Sequence, residues 1–171
     1  LKTNAEIRNQ SGMNVHPRII GSGPFLDENL SLKEEIGLIN LELAPPTTNY
    51  IELFGNKDIH LLMSRIEGTQ NVLLEAQAHG LPVAACDVGG VRDAMLRRGD
   101  GKGLLLPQDP TPEEAARQIL KWFPIAMKAA PASRHRFVES KFSTEALAAN
   151  ARQIYSGVSG MQPSMRGRTK K

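Results

Sequence analysis

Five short apolar runs alternate with helical stretches along this chain, and that alternation restricts the folds open to it more than any other feature. The runs are Arg18–Ile20, Leu41–Leu43, Ile59–Met63, Pro82–Cys86 and Leu104–Leu106. Ile59–Met63 shows too little polar–apolar alternation for a half-exposed strand, so it and Pro82–Cys86 read as buried strands of a parallel sheet, and the other three runs as further short strands. Between them lie helical patterns with legible ends. One runs from Asp27 to Glu35 and is closed by Gly37; another runs from Asn71 to His79 and is stopped by Gly80. Gly89-Gly90 opens a third. Thr111-Pro112-Glu113-Glu114 combines a cap, a proline at the first helical position and the acid of a capping box. That helix reaches about Phe123, where Pro124 bends or ends it. A last helix starts at Ser143 or Thr144 and ends at Gly157. Strand and helix in this order predict an α/β, Rossmann-like, doubly wound parallel sheet over residues 1–156, followed by a basic tail over 157–171.

Composition narrows the class without naming a function. With 40% hydrophobic residues among 171, the chain can build a core and is not a disordered segment. No apolar run is long enough to cross a bilayer as a helix. The single cysteine, Cys86, excludes an internal disulfide framework and fits a reducing cytoplasm. The net charge of +3 owes much to Arg166, Arg168, Lys170 and Lys171 at the end of the chain. Such an end is read first as solvated and second as a weak peripheral contact with anionic headgroups at the inner face of a membrane. Few aromatics interleave with the basic residues, so a nucleic-acid partner is not expected.

In doubly wound sheets, ligands bind beyond the carboxyl ends of the strands. Ser64–Asn71 occupies such a position, between an apolar run and a helix. It carries Glu67, and eight residues later comes Glu75. On one helix they would lie about 80° apart, but Gly68 places Glu67 in the loop and Glu75 about one turn into the helix. Free N–H groups around Thr69, Gln70, Asn71 and Val72 can receive phosphate oxygens. A carboxylate at Glu75 can accept both hydroxyls of a ribose diol, leaving Glu67 for another part of the ligand. The plain alternative is that both are acids favoured by the helix dipole.

A longer pattern surrounds these residues. It comprises Ile19-Ile20-Gly21-Ser22-Gly23-Pro24, then Asp58, then Ser64-Arg65-Ile66-Glu67-Gly68-Thr69-Gln70-Asn71-Val72-Leu73-Leu74-Glu75-Ala76. His79-Gly80-Leu81-Pro82-Val83 and Asp87-Val88-Gly89-Gly90 follow. From Arg18 to Tyr155 the chain resembles the C-terminal domain of the retaining glycosyltransferases of family 4. The resemblance implies one half of a GT-B fold, two facing Rossmann-type domains with a nucleotide sugar bound in the cleft. It implies that Glu67 meets the donor sugar, that Glu75 holds the ribose, and that the backbone of Gly68 to Val72 cradles the diphosphate and sugar. Gly21 and Gly23 would let the first loop approach the nucleotide. Transfer would retain configuration without a metal or other cofactor, and stabilisation of the departing diphosphate would carry the catalysis. Glu67 would then be a catalytic-site residue that positions charge, not a nucleophile. The donor expected first is a UDP-sugar, and the acceptor a glycan or glycolipid, as in polysaccharide assembly.

Two departures qualify that reading. The family's diphosphate-clamping Arg and Lys lie upstream of the first matched strand, where this chain begins inside a helix with Ala5 and Ile7 as its apolar face. Lys2 and Arg8 do not match them in order or place and read as surface residues. The N-terminal domain with its acceptor site is absent, so the chain is expected to be incomplete for catalysis by itself. The stretch Leu41–Tyr50 also differs from the family's usual strand and glycine turn, which leaves base recognition open. The alternative reading is a non-catalytic interaction module derived from the same family. His16, His60, His79 and His135 show no metal-ligand spacing with Cys86 or one another and are expected to be satisfied or exposed. Cys86 reads as core.

Overall fold

The computed structural model describes residues 1–68 and 70–159. Thirteen elements follow one another. They are α1 (Lys2–Ser11), β1 (Arg18–Ile20), α2 (Leu26–Glu35), β2 (Glu42–Ala44), α3 (Tyr50–Phe54), β3 (His60–Leu62) and α4 (Asn71–Ala78). Then come β4 (Val83–Cys86), α5 (Val91–Ala94), β5 (Leu104–Leu106), α6 (Pro112–Lys128), α7 (Pro131–Phe142) and α8 (Thr144–Ser159). The expected α/β class with parallel strands is what the chain adopts. Its strands form two parallel groups, β1-β2 and β3-β4-β5.

β4 organises the larger sheet. It pairs Ala84 with Leu61 on one side and with Leu104 on the other. All four of its residues are buried. Because side chains alternate across a strand, its two faces feed two different cores. Val83 and Ala85 pack with Leu73 and Ala76 of α4 and Val91 of α5. Ala84 packs with Ile7 of α1 and with Ala115, Ala116 and Ile119 of α6. The small residues at 84 and 85 admit helices closely on both faces, which makes the sheet doubly wound. Helix α1 also joins the two sheets, since Ala5 enters a third cluster with Leu38, Leu41 and Leu43 beside β2. Ala5 and Ile7 thus form the buried face that the sequence indicates.

Several expectations need correction. β3 is half-buried along its length, not fully buried, and among the described residues it pairs with β4 alone. Helix α6 neither ends nor breaks at Pro124 but continues to Lys128. A proline inside a helix costs about 3 kcal/mol; here buried Trp122 and Ala126 hold the turns on either side, and Trp122 donates its Nε1–H to the Lys102 carbonyl at 3.1 Å. Thr111 caps the Glu114 N–H at 3.2 Å, but the Glu114 carboxylate turns to Gln118 and does not complete the reciprocal box. Helices α3 and α7 have no counterpart in the sequence reading. Arg8 is not a plain surface residue, since its guanidinium donates to the Ile36 and Gly37 carbonyls at the end of α2. Helix α8 passes Gly157 and continues to Ser159, and the rest of the basic tail lies outside the described residues.

Candidate functional site

The β3–α4 connection carries the candidate site. α4 begins at Asn71 with Gln70 as N-cap residue, and the Gln70 side chain does not cap it. Instead, Gln70 is buried and its side-chain amide turns back toward the Gly68 carbonyl at 3.4 Å. The first amides of α4 therefore have no side-chain acceptor from their own cap, and α4 has no acid in its first turn. An uncapped N-terminus of this kind concentrates N–H donors and the positive end of the helix dipole. Asn71 is exposed and Val72 half-buried, so the start of the helix faces outward. Thr69, also expected here, lies outside the described residues.

Glu67 and Glu75 are both half-buried. Among the described residues neither carboxylate has a hydrogen-bond or ion-pair partner. A half-buried carboxylate left without a partner keeps its full accepting capacity for a ligand. The Glu75 backbone is engaged, because its carbonyl accepts the His79 N–H at 3.1 Å and His79 Nδ1 at 2.9 Å. Leu73, Ala76 and Gln77 are wholly buried and fix the helix that carries Glu75. Gly68 is tied at its carbonyl by the Gly90 N–H at 3.1 Å, which brings the turn after β4 beside the loop. The neighbouring Arg65 pairs with Asp109 after β5 at 3.2 Å, both largely exposed.

A cavity of about 340 Å³ opens at the carboxyl ends of β3, β4 and β5, between Met63, Cys86 and Asp109 on one side and Leu1 and Lys2 on the other. Its volume suits a small-molecule site. Arg65 reaches its wall, whereas Glu67 and Glu75 do not. A second cavity of about 370 Å³ lies at the opposite end of the sheet, around Asp58, Pro82 and Arg134. The site thus groups Glu67, Gly68, Gln70, Asn71, Val72 and Glu75 on one continuous segment. Gly21 and Gly23 follow β1 in the other sheet, and no hydrogen bond joins them to that segment among the described residues. Gly21 has φ +151° and its N–H donates to the Ala44 carbonyl, while Gly23 has an ordinary φ and open space where a Cβ would stand. Of the two, only Gly21 has a backbone reason to be glycine.

His60 departs from the expected satisfied or exposed histidine. Its Nε2 is buried with no hydrogen-bond partner among the described residues, its ring stands edge-on to Phe54 at 6.1 Å, and burial pushes its pKa down to about 4. Cys86 is core as expected, and burial raises its thiol pKa, with Asp109 adding to the effect. The sequence reading missed Arg65 and Lys2 at the cavity. Only the three-dimensional convergence of three strand ends and α1 marks them.

Parallel strands with helices on both faces and an open helix N-terminus at the strand carboxyl ends define a Rossmann-like α/β domain. Residues 1–123 match the family described as Glycosyl transferases group 1, and the chain belongs to that family. It is 33% identical over 129 residues to a D-inositol 3-phosphate glycosyltransferase of Thermobispora bispora, covering 72% of this chain and 29% of that protein. Among solved structures, sucrose-phosphate synthase from Thermosynechococcus elongatus superposes with a TM-score of 0.71 at 22% identity, over 93% of this chain and 42% of that one. Anabaena Alr3699/HepE in complex with UDP gives 0.72 at 21% identity, over 93% and 44%. At such identities the likeness establishes the GT-B-type fold. The chain spans under half the length of these relatives.

Proposed function

We propose that this chain is the donor-binding half of a retaining glycosyltransferase of family 4 that takes a UDP-sugar and delivers the sugar to a glycan or lipid-linked acceptor. The observation that carries the reading is the pair of half-buried carboxylates, without partners among the described residues, flanking an uncapped α4 N-terminus at the carboxyl ends of a parallel sheet. Glu75, on the rigid part of α4, holds the ribose diol. The amides from Gly68 to Val72 receive the diphosphate, and Glu67 meets sugar hydroxyls. Retention follows from a front-face path, in which the acceptor arrives on the side the diphosphate leaves and the leaving phosphate takes its proton. In that path the N–H donors matter most as charge builds on the diphosphate, so no metal is required.

The nearby structures support the choice of base, since Anabaena Alr3699/HepE is described in complex with UDP and with UDP-glucose. The acceptor site belongs to the remainder of the protein, and this chain alone binds donor weakly without turnover. The reading puts the work in the cytoplasm, with a peripheral contact at the inner membrane face as the second expectation. The test is a titration with UDP, GDP and ADP followed by amide chemical shifts. UDP-dependent shifts confined to residues 67–75 support the assignment. Shifts elsewhere, or none from a folded chain, overturn it.

A further inference from the structure

The turn after β4 presses directly on the backbone of the Glu67 loop. At Gly89, φ +48°, an added Cβ would stand 1.9 Å from the Glu67 carbonyl oxygen and 2.9 Å from its carbon. No pair of atoms tolerates that separation, and the obstacle is main chain, which cannot swing aside as a side-chain tip would. One residue later, the Gly90 N–H donates to the Gly68 carbonyl at 3.1 Å. The turn therefore abuts one peptide group and holds the next, on the two sides of Gly68.

The turn itself is fixed from elsewhere. The Asp87 N–H donates to the Leu106 carbonyl at 3.0 Å, and the Val91 N–H to the Val88 carbonyl at 3.1 Å. Val88 and Val91 are buried in the core below. The Asp87 carboxylate is held by Arg92. On its other flank, among the described residues, the Glu67 loop has a long contact from the Gln70 amide to the Gly68 carbonyl at 3.4 Å and the exposed Arg65–Asp109 pair, which solvent and salt weaken. When one side is rigid and the other loose, an inserted methyl moves the loop. Glu75 is insulated from that movement, because Leu73 and Ala76 anchor its helix at full burial.

We propose that the Gly89-Gly90 turn is the positioning element of the Glu67 loop. A side chain at 89 would withdraw Glu67 from the sugar end of the donor while leaving the nucleotide end on Glu75. This rests on the donor-site reading above. It adds a positioning role for two residues that touch no part of the ligand in that reading.

The test compares Gly89→Ala with Gly99→Ala. Gly99 also has a positive φ, +77°, but nothing lies within 4 Å of its added Cβ, so it carries the backbone cost without the collision. In the ligand-free chain, Gly89→Ala should shift the amide signals of Glu67 and Gly68, and Gly99→Ala should not. With UDP, Gly99→Ala should bind within about twofold of wild type, and Gly89→Ala should lose only what the displaced Gly68 amide gives the diphosphate, less than it loses with UDP-glucose. With UDP-glucose, Gly89→Ala should lose the extra affinity that the sugar gives, roughly tenfold for one charged hydrogen bond. Unmoved Glu67 and Gly68 signals, or an intact sugar increment, would overturn the proposal. Failure of wild type to bind either ligand would sink the donor reading, and the ligand-free shifts would still decide the coupling. Should Gly89→Ala not fold, hydrogen exchange at Gly90 in the wild-type chain decides: slow exchange supports the tether and fast exchange overturns it.

Discussion

The side-chain carbonyl of Gln77 on α4 accepts the backbone N–H of Leu96 at 2.8 Å, 19 residues further along the chain. The amide end of the same side chain donates to the Ala94 carbonyl at 2.7 Å and the Leu73 carbonyl at 2.8 Å. Gln77 is wholly buried, so it bolts the helix that bears Glu75 to the segment following the Gly89-Gly90 turn. Replacing it by leucine keeps the volume close but leaves the Leu96 N–H without its acceptor. Gln77→Leu should cost about 2–3 kcal/mol of stability. Denaturant unfolding measures this as a lower midpoint at unchanged slope. A midpoint like that of wild type would mean that water has taken over these bonds.

The two carboxylates should separate by ligand. Glu75→Ala should weaken UDP and UDP-sugar alike, by roughly tenfold if one charged pair of hydrogen bonds is lost. Glu67→Ala should leave UDP nearly unaffected and weaken only the sugar-bearing donor. Calorimetric or shift titrations with both ligands check this. Equal losses on bare UDP would refute the division of roles.

His60 gives the fold an acid limit. Its folded pKa is pushed down to about 4 by burial against an ordinary value of 6.5. Between those values the unfolded chain takes up a proton that the folded chain refuses. Stability from this group is therefore complete above about pH 7 and is lost as pH falls from 6.5 through 4. The loss between pH 7 and 4.5 should be roughly 2–3 kcal/mol. His60→Leu should flatten that limb and raise stability most at the acid end. Parallel acid limbs in the two proteins would remove His60 as the cause.

Arg134 is buried to 2% exposure and donates to three main-chain carbonyls: Gly101 at 3.2 Å, Gly80 at 2.9 Å and Ala126 at 2.6 Å. It links the ends of α4 and α6 and the loop before β5. Arg134→Met would leave three carbonyls without donors and should cost about 3–5 kcal/mol. Arg134→Lys should recover only part of this, because one ammonium cannot span the three acceptors of the fork. Thermal unfolding of the two variants ranks them. Full recovery by Lys would show that charge, not the geometry of the fork, matters.

The strands and the principal helices were legible because their signals are local. Apolar runs at 82–86 and 104–106 and the glycines at 37 and 80, both at positive φ, announce themselves within a few residues. The Glu67–Glu75 segment was legible for the same reason: a strand end, a glycine and a helix start occur in one continuous stretch. Pro124 misled because its local preference for ending a helix is outweighed by Trp122 and Ala126, whose burial depends on distant partners. Helix α7 was missed because its apolar pattern is weak and its one buried residue is an arginine.

The sequence by itself determined the alternating α/β order, the small residues of β4 that let helices cover both faces, and the segment bearing the two carboxylates. Tertiary structure alone decided what holds that segment: the Gly90–Gly68 bond, the Gly89 contact with Glu67, and the Gln77 bridge. Each joins groups about 20 residues apart, and at least one partner in each is a backbone atom that every residue type shares. Such pairings leave no mark in the local choice of side chains beyond a permitted glycine or one buried amide.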